Sequence, residues 1–369
     1  MDKKKILFVG RFPPPVYGTS LMNSMYANSS LINKNFDIKK IKINFSKDIY
    51  NKERFSIKKL FHGIMNIPIL TYHLIKKSDL VYFDVTVKGM AFYRDSIYIL
   101  LAKIFRKNIL VGLHSKGLKK ETKKSKIKRF YYKFVFKNTK AVLLSELLYP
   151  DVDNLFKKEK VYFNPNGIED VLSDKEFEKI QEKREKRKTK KILYLSNMLE
   201  SKGPLDALKI CNLLKKDNIS FECFFVGDWE DYNFKEKWLK YLKERSLENH
   251  CKFLGPKYDK EKYDLMKEID FIVFPTKYPL ECYPLIILEA FMFGIPVYSY
   301  DNGAIKEIVD KEYKGYVAKQ GDYKKLYEKL KKNINKEQQN KKIRQEFKER
   351  YVFDKAEKRL NKIFSKESK

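Results

Sequence analysis

Two parallel-sheet domains of the α/β class are predicted by three features of this 369-residue sequence. Short apolar runs alternate with longer amphipathic stretches, the pattern of strands joined by crossover helices. Residues 171–190, rich in charge, interrupt that series as a solvated linker would. A second strand–helix series then begins at Ile192. The expected organisation is a domain over 1–170, a charged linker over 171–190 and a second domain over 191–344.

Taken in order, strands are expected at 6–9, 38–43, 80–84, 109–113, 141–144 and 161–163, where short apolar runs stand between polar breaks. Helices are expected at 19–32, 57–76, 90–105, 125–136 and 145–155, where the apolar residues recur at helical spacing. In the second series, 192–195, 221–226, 271–274, 297–300 and 316–318 read as strands, and a strand position falls at Phe253. Helices are expected at 205–215, 234–245, 260–267 and 285–293, the last stopped by Gly294 and Pro296. From Tyr323 onward the chain reads as polar helix.

Composition narrows the class. The chain is 43% apolar and 15% aromatic, enough for packed cores. Its four cysteines lie apart with no C-x-x-C, so neither disulfides nor a structural zinc site is expected, and a reducing cytoplasm fits. Lys3 to Lys5 precede only a short apolar run, too short for a secretory leader, and no run approaches the roughly 20 residues needed to span a bilayer. The formal charge is +31, and only 11 of the 79 basic residues are arginine. Genome bias toward lysine is one reading; an anionic membrane surface or anionic substrate is the other. Nucleic acid fits poorly, because arginine forks and a reading module are both missing from the sequence.

The densest information lies between Asp270 and Val297. The apolar run 271–274 ends at Pro275; then follow Glu281, Pro284, a second apolar run with Glu289, and the Gly294–Pro296 stop. Glu281 falls in a loop at the carboxyl end of a strand. Pro284 suits the first turn of a helix, where its missing N–H has no partner. Glu289 then lies about one and a half turns into that helix. The segment from Tyr283 through Pro284 and Leu285 to Ile286 offers helix-start amides, a favourable seat for phosphate. The two carboxylates flank it and could accept hydrogen bonds from hydroxyl pairs. The plainer alternative is an amphipathic helix with two solvated glutamates.

This segment resembles the E-x7-E donor motif of retaining family 4 glycosyltransferases, which have the GT-B fold. Further landmarks follow in that family's order. They are the glycine loop ending at Gly18, L-H-S-K-G at 113–117, N-P-N-G-I at 164–168, Y-L-S-N-M-L-E-S-K-G at 194–203, V-G-D at 226–228 and F-L-G-P at 253–256. The resemblance implies two Rossmann-like domains facing a cleft, with a C-terminal helix, 345–369, crossing back to the first domain. Tyr351, Phe353, Leu360 and Phe364 would supply its apolar contacts.

The resemblance also implies roles. Lys202, Glu281 and His114 become the catalytic candidates: Lys202 on the donor diphosphate, Glu281 on the donor sugar, His114 beside the transferred sugar. Gly18, Asn197, Lys202, Glu281, Tyr283, Pro284, Leu285, Ile286 and Glu289 become donor-binding, with Glu289 on ribose hydroxyls. Two positions depart from the family: Asn197 stands where an arginine is frequent, and Tyr17 where the first of two glycines is usual. Lys116, Lys119, Lys120, Lys123 and Lys124 fall on the acceptor or membrane side. They open a basic and aromatic stretch reaching Lys137 that could lie on an anionic bilayer, unless its aromatics are core. Asn166-Gly167 reads as a turn near the domain hinge. Asp151-Val152-Asp153 has D-x-D spacing but reads as a surface turn, and no metal or cofactor is required.

The expected activity is transfer of a sugar from a nucleotide-diphosphate sugar, UDP first among nucleotides, to a hydroxyl of a lipid-linked or growing surface glycan. Retention, independence of metal and a cytoplasmic site on the inner face of the plasma membrane complete that expectation. A basic binding protein on a degenerate GT-B scaffold, a phosphorylase and an inverting transferase stay open.

Overall fold

The computed structural model describes residues 3–43, 57–76, 78–336 and 339–368, with backbone alone for 57–65. The chain divides into two compact units, Met1–Asn166 with Phe353–Lys369 and Gly167–Val352.

In the first unit, β1 (Lys4–Gly10), β2 (Phe36–Lys42), β3 (Leu80–Asp84), β4 (Asn108–Leu113), β5 (Lys140–Leu143) and β6 (Val161–Phe163) form a parallel sheet. Its order is β2-β1-β3-β4-β5-β6, so the direction of winding reverses between β1 and β3. Crossovers run through α1 (Gly18–Asn28), α2 (Ser30–Asn35), α3 (Ile57–Ile75), α4 (Gly89–Ile104), α5 (Leu118–Lys123) and α6 (Lys126–Phe136). Every residue of β3 is buried, as expected of a strand covered on both faces.

The second unit repeats the plan. It begins with α7 (Asp174–Glu185) and continues through β7 (Lys190–Leu195), α8 (Pro204–Lys216), β8 (Phe221–Val226), α9 (Tyr232–Glu244) and β9 (Cys251–Phe253). Then come α10 (Asp259–Lys267), β10 (Phe271–Phe274), α11 (Leu285–Met292), β11 (Val297–Tyr300), α12 (Ile305–Ile308), β12 (Gly315–Ala318), α13 (Tyr323–Ile334) and α14 (Asn340–Arg350). The sheet order β12-β11-β10-β7-β8-β9 is that of a dinucleotide-binding Rossmann domain, with its switch point between β7 and β10. Trp238 of α9 is fully buried, its ring edge-on to Phe225 of β8 at 5.0 Å.

The chain returns to the first unit as α15 (Phe353–Glu367). Leu360 and Phe364 are fully buried, and the Phe364 ring meets Tyr82 of β3 edge-on at 5.4 Å. Phe353 packs its ring 5.4 Å from Tyr26, while Glu367 accepts from Lys140 Nζ at 2.7 Å. Tyr351, expected among these contacts, instead packs in the second unit, its ring 5.8 Å from Phe291. The returning helix starts at 353 because Tyr351 ends α14.

Other differences have local causes. The stretch expected as a helix over 145–155 holds only a short 3-10 turn, Glu146–Asp151, with Pro150 inside it; proline cannot donate the bond that would continue an α-helix. The helix expected over 19–32 is two helices, because the Ser29 hydroxyl accepts from Ile32 N and starts α2 afresh. The charged segment at 171–190 contains α7, with Ser173 and Glu176 as a capping box and Phe177 and Ile180 buried in the second unit.

Replacing Phe364 with alanine should leave a cavity under α15 and cost the first unit about 3–5 kcal/mol. The check is a lower denaturant midpoint for the first unit, with the second unit's transition unmoved.

Candidate functional site

Loops leaving β7, β10 and β11 meet at the switch point of the second sheet. After β7 the chain makes a short turn, Glu200–Lys202, and reaches Gly203 at φ 81°, the left-handed region that favours glycine. A Cβ on Gly203 would lie 2.1 Å from the carbonyl oxygen of Pro275, so glycine also permits the two loops to touch. Pro204 then opens α8. The loop after β10 is tied to this one by Lys277 N donating to Ser201 O at 2.7 Å. It is tied to the β11 loop by Asn302 Nδ2 donating to Tyr278 O at 2.9 Å and Ala304 N to Cys282 O at 2.7 Å. Asp206 at the start of α8 adds a polar brace, accepting from Lys277 Nζ at 2.9 Å and from the Tyr300 hydroxyl at 3.0 Å.

This frame holds Lys202 against Glu281, Nζ to Oε2 at 2.7 Å, with both side chains largely shielded. The ammonium also lies over the Tyr278 ring at 4.3 Å, and Thr276 Oγ1 donates to the same Glu281 oxygen at 3.4 Å. Two residues given separate roles in the sequence are therefore bonded to each other. Pro284 is the N-cap of α11 rather than a residue of its first turn, and no side chain caps that helix start. Tyr283, Pro284 and Ile286 are buried there and Leu285 is half-buried.

Glu289 faces a different cation. Its carboxylate accepts from Lys262 Nζ of α10 at 2.6 Å. Burial pushes the Glu289 carboxyl above the ordinary glutamate range, and Lys262 pulls against that rise. Lys262 is itself held above the usual lysine value: burial works against its charge, and Glu289 outweighs it. Nothing in the spacing of the motif pointed to Lys262, which precedes Glu289 by 27 positions. Asn197, at the family's arginine position, donates from Nδ2 to Glu230.

The first sheet has its own polar group at the β1–β3 switch point. Arg11 grips Asp84 at the end of β3 through two guanidinium bonds, Nε to Oδ2 at 2.8 Å being one. Asn23 Nδ2 donates to the same Oδ2 at 2.8 Å. Burial opposes ionisation of Asp84, but Arg11, His114 and Asn23 outweigh it and hold the carboxyl below the usual range. His114, at the end of β4, has a buried Nε2 without a hydrogen-bond partner among the described residues. Burial, with Arg11 acting in the same sense against Asp84, lowers its pKa, so the ring is neutral at neutral pH. Neither Arg11 nor Asp84 stood out in the sequence. Gly18 is the exposed first residue of α1, outside the left-handed region.

Asp151 closes the 3-10 turn and the chain turns on through 152–155, as expected, but its carboxylate also accepts from the backbone N of Gly117 at 2.6 Å, Leu118 at 3.0 Å and Lys119 at 3.3 Å. It thereby fixes the Lys116-Gly117 loop and occupies the amides of the α5 start. Lys119 Nζ pairs with Asp153 at 2.8 Å and Lys124 with Glu121, whereas Lys120 and Lys123 are exposed. Among the described residues, no group of three or more His, Cys, Asp or Glu could hold a metal ion.

Residues 175–350 match the family Glycosyl transferases group 1. The amylovoran biosynthesis glycosyltransferase AmsK of Erwinia amylovora is 28% identical over 137 residues, 36% of this chain and 33% of AmsK, so the match spans about a third of that relative. Among solved structures, a glycosyltransferase from Rickettsia africae ESF-5 superimposes with a TM-score of 0.76 at 17% identity over 99% of each chain. Anabaena Alr3699/HepE, solved in complex with UDP and glucose, gives 0.70 at 15% identity over 98% of this chain and 99% of that one. These structural likenesses establish the architecture, two Rossmann-like domains of GT-B type.

Substituting Gly203 with alanine should destabilise the second unit by about 2 kcal/mol or more, through clash with Pro275 added to left-handed strain. At Gly321, also left-handed but with nothing near its missing Cβ, the same change should cost only about 1 kcal/mol. Equal losses in the two variants, measured by chemical denaturation, would remove the packing argument.

Proposed function

We propose, from a second unit that matches the Glycosyl transferases group 1 family, that the chain is a glycosyltransferase of surface polysaccharide assembly. It moves a sugar from a nucleotide-diphosphate sugar, with UDP as the nucleotide, to a hydroxyl of a lipid-linked or growing glycan. The observation that carries this reading is the arrangement around α11. An uncapped helix start lies at the switch point, with the Lys202–Glu281 pair beside it and buried Glu289 further along the helix. A diphosphate at the helix start would meet backbone amides and the Lys202 charge. Glu281 would then exchange Lys202 for hydroxyls of the donor sugar, and Glu289 would receive the ribose diol. HepE with UDP bound and AmsK in amylovoran biosynthesis support the same reading by likeness. Neutral His114 would accept or donate one hydrogen bond to the reacting sugar without adding charge. Retention of the anomeric configuration follows the family resemblance, and cation work at the leaving diphosphate falls on Lys202 rather than on a metal.

Partition of the basic stretch into core and surface supports a membrane role. Tyr132, Val135 and Phe136 of α6 are buried, but Ile127 is 82% and Phe130 74% exposed, with Phe134 also exposed. Exposed Lys123, Lys126, Lys133 and Lys137 lie along the same stretch. An apolar face within a lysine-rich stretch suits the anionic inner face of the plasma membrane, at about 1 kcal/mol per lysine near the surface. No helix among the described residues is long and apolar enough to cross a membrane.

Glu289→Ala should weaken UDP binding by roughly tenfold to a hundredfold through loss of charge-assisted hydrogen bonds. Lys202→Ala should lower turnover about a hundredfold. Calorimetry with UDP and release of free UDP from candidate donors, with membrane extract as acceptor, provide the readings; parent-like values in both variants sink the assignment. An inverted anomer in the product would instead remove retention alone. Combining Ile127→Ser with Phe130→Ser should abolish sedimentation with anionic vesicles while UDP affinity stays that of the parent.

A further inference from the structure

Glu289 is an acid in an unfavourable place. It is 6% exposed, on a helix buried almost all round, and burial favours its protonated form. A protonated carboxyl carries a donor on one oxygen and has lost its charge, so it accepts from the two hydroxyls of a diol less strongly than the carboxylate does. The charged and titratable groups around α11 come from several elements. Lys262 and Tyr263 approach from α10, with Asp259 and Glu169 acting on Tyr263. Arg344 of α14 donates to Met292 O at 3.1 Å and Arg184 of α7 to Phe293 O at 2.8 Å, both at the far end of the helix. Lys314 lies 5.6 Å over the Phe291 ring. Of these cations, Lys262 is the one bonded to the Glu289 carboxylate, and only 17% of its own side chain is exposed.

We propose that Lys262 is a positioning residue for the nucleoside part of the donor: it keeps Glu289 ionised and fixes one carboxylate oxygen, so that the other is presented to a vicinal diol. The inference rests on the donor-site reading above. Lys262 itself need not touch the nucleotide. Its bond to Oε1 leaves Oε2 and the second lone pairs for the ligand. Truncating Lys262 leaves the carboxyl buried without its cation. Its pKa then rises further, so binding that needs the carboxylate is complete above that value and is lost as pH falls through it.

The test is calorimetric titration of UDP into the parent protein, Lys262→Met, Lys262→Arg and Glu289→Gln between about pH 6 and 8. The ratio of variant to parent Kd cancels ionisation of UDP itself. For Lys262→Met that ratio should lie near one at the alkaline end and rise about tenfold per unit of pH below the new pKa. Lys262→Arg, which restores the cation, should hold the ratio near one throughout. A ratio independent of pH, or an arginine variant as impaired as the methionine one, overturns the proposal while leaving the donor site standing. Glu289→Gln binding UDP as the parent does would overturn the donor-site reading itself. Should Lys262→Met fail to fold, Lys262→Gln, uncharged but able to donate, is read against the same two outcomes.

Discussion

The contact of Gly203 with the Pro275 carbonyl governs the second unit's site. Strands β7 and β10 are neighbours in the sheet, but their crossovers leave in opposite directions, which opens a crevice at their carboxyl ends. A side chain at Gly203 would wedge the two loops apart. With glycine there, the Ser201–Lys277 backbone bond can form, and Lys202 is carried to within hydrogen-bonding distance of Glu281. The β11 loop completes the frame through Asn302 and Ala304. Lys202 and Glu281 thus stand on loops whose backbones are bonded to each other.

Both predicted glutamates are neutralised by lysines in the free protein, and the two pairings have different physical characters. Lys202 pairs with Glu281 among loops, near aromatic Tyr278, where a ligand's phosphate could compete for the ammonium. Lys262 pairs with Glu289 between two helices, and the two pairs are about equally shielded. A partly buried pair is costly to break by removing one member, roughly 3–5 kcal/mol, because the other is left uncompensated. A ligand that supplies replacement partners avoids that cost.

Much of this was legible in the sequence, for identifiable reasons. Most strand runs were apolar on both faces, so nearly every strand stood out, and the proline and glycine positions marked the ends of α11. Glu281, Glu289 and Lys202 were visible because they sit at fixed offsets from those breaks. Lys262, Asp84 and Arg11 were invisible because their partners lie on other crossovers, and sequence distance carries no trace of a contact made through the sheet. The acceptor role of Asp151 was invisible for the same reason: it depends on amides more than thirty positions earlier. The basic stretch was ambiguous until the fold divided its aromatics, Tyr132 and Phe136 going inward and Phe130 outward.

The first unit is discontinuous, and this matters during synthesis. Its sheet is complete at β6, yet the bed for Leu360 and Phe364 stays bare until α15 has been made, after the whole of Gly167–Val352. The nascent first unit therefore leaves the ribosome with an apolar groove uncovered, while the second unit, continuous in the chain, can finish first. Co-translational folding should run against the order of the code, and a chain interrupted before Phe353 is a natural substrate for chaperones.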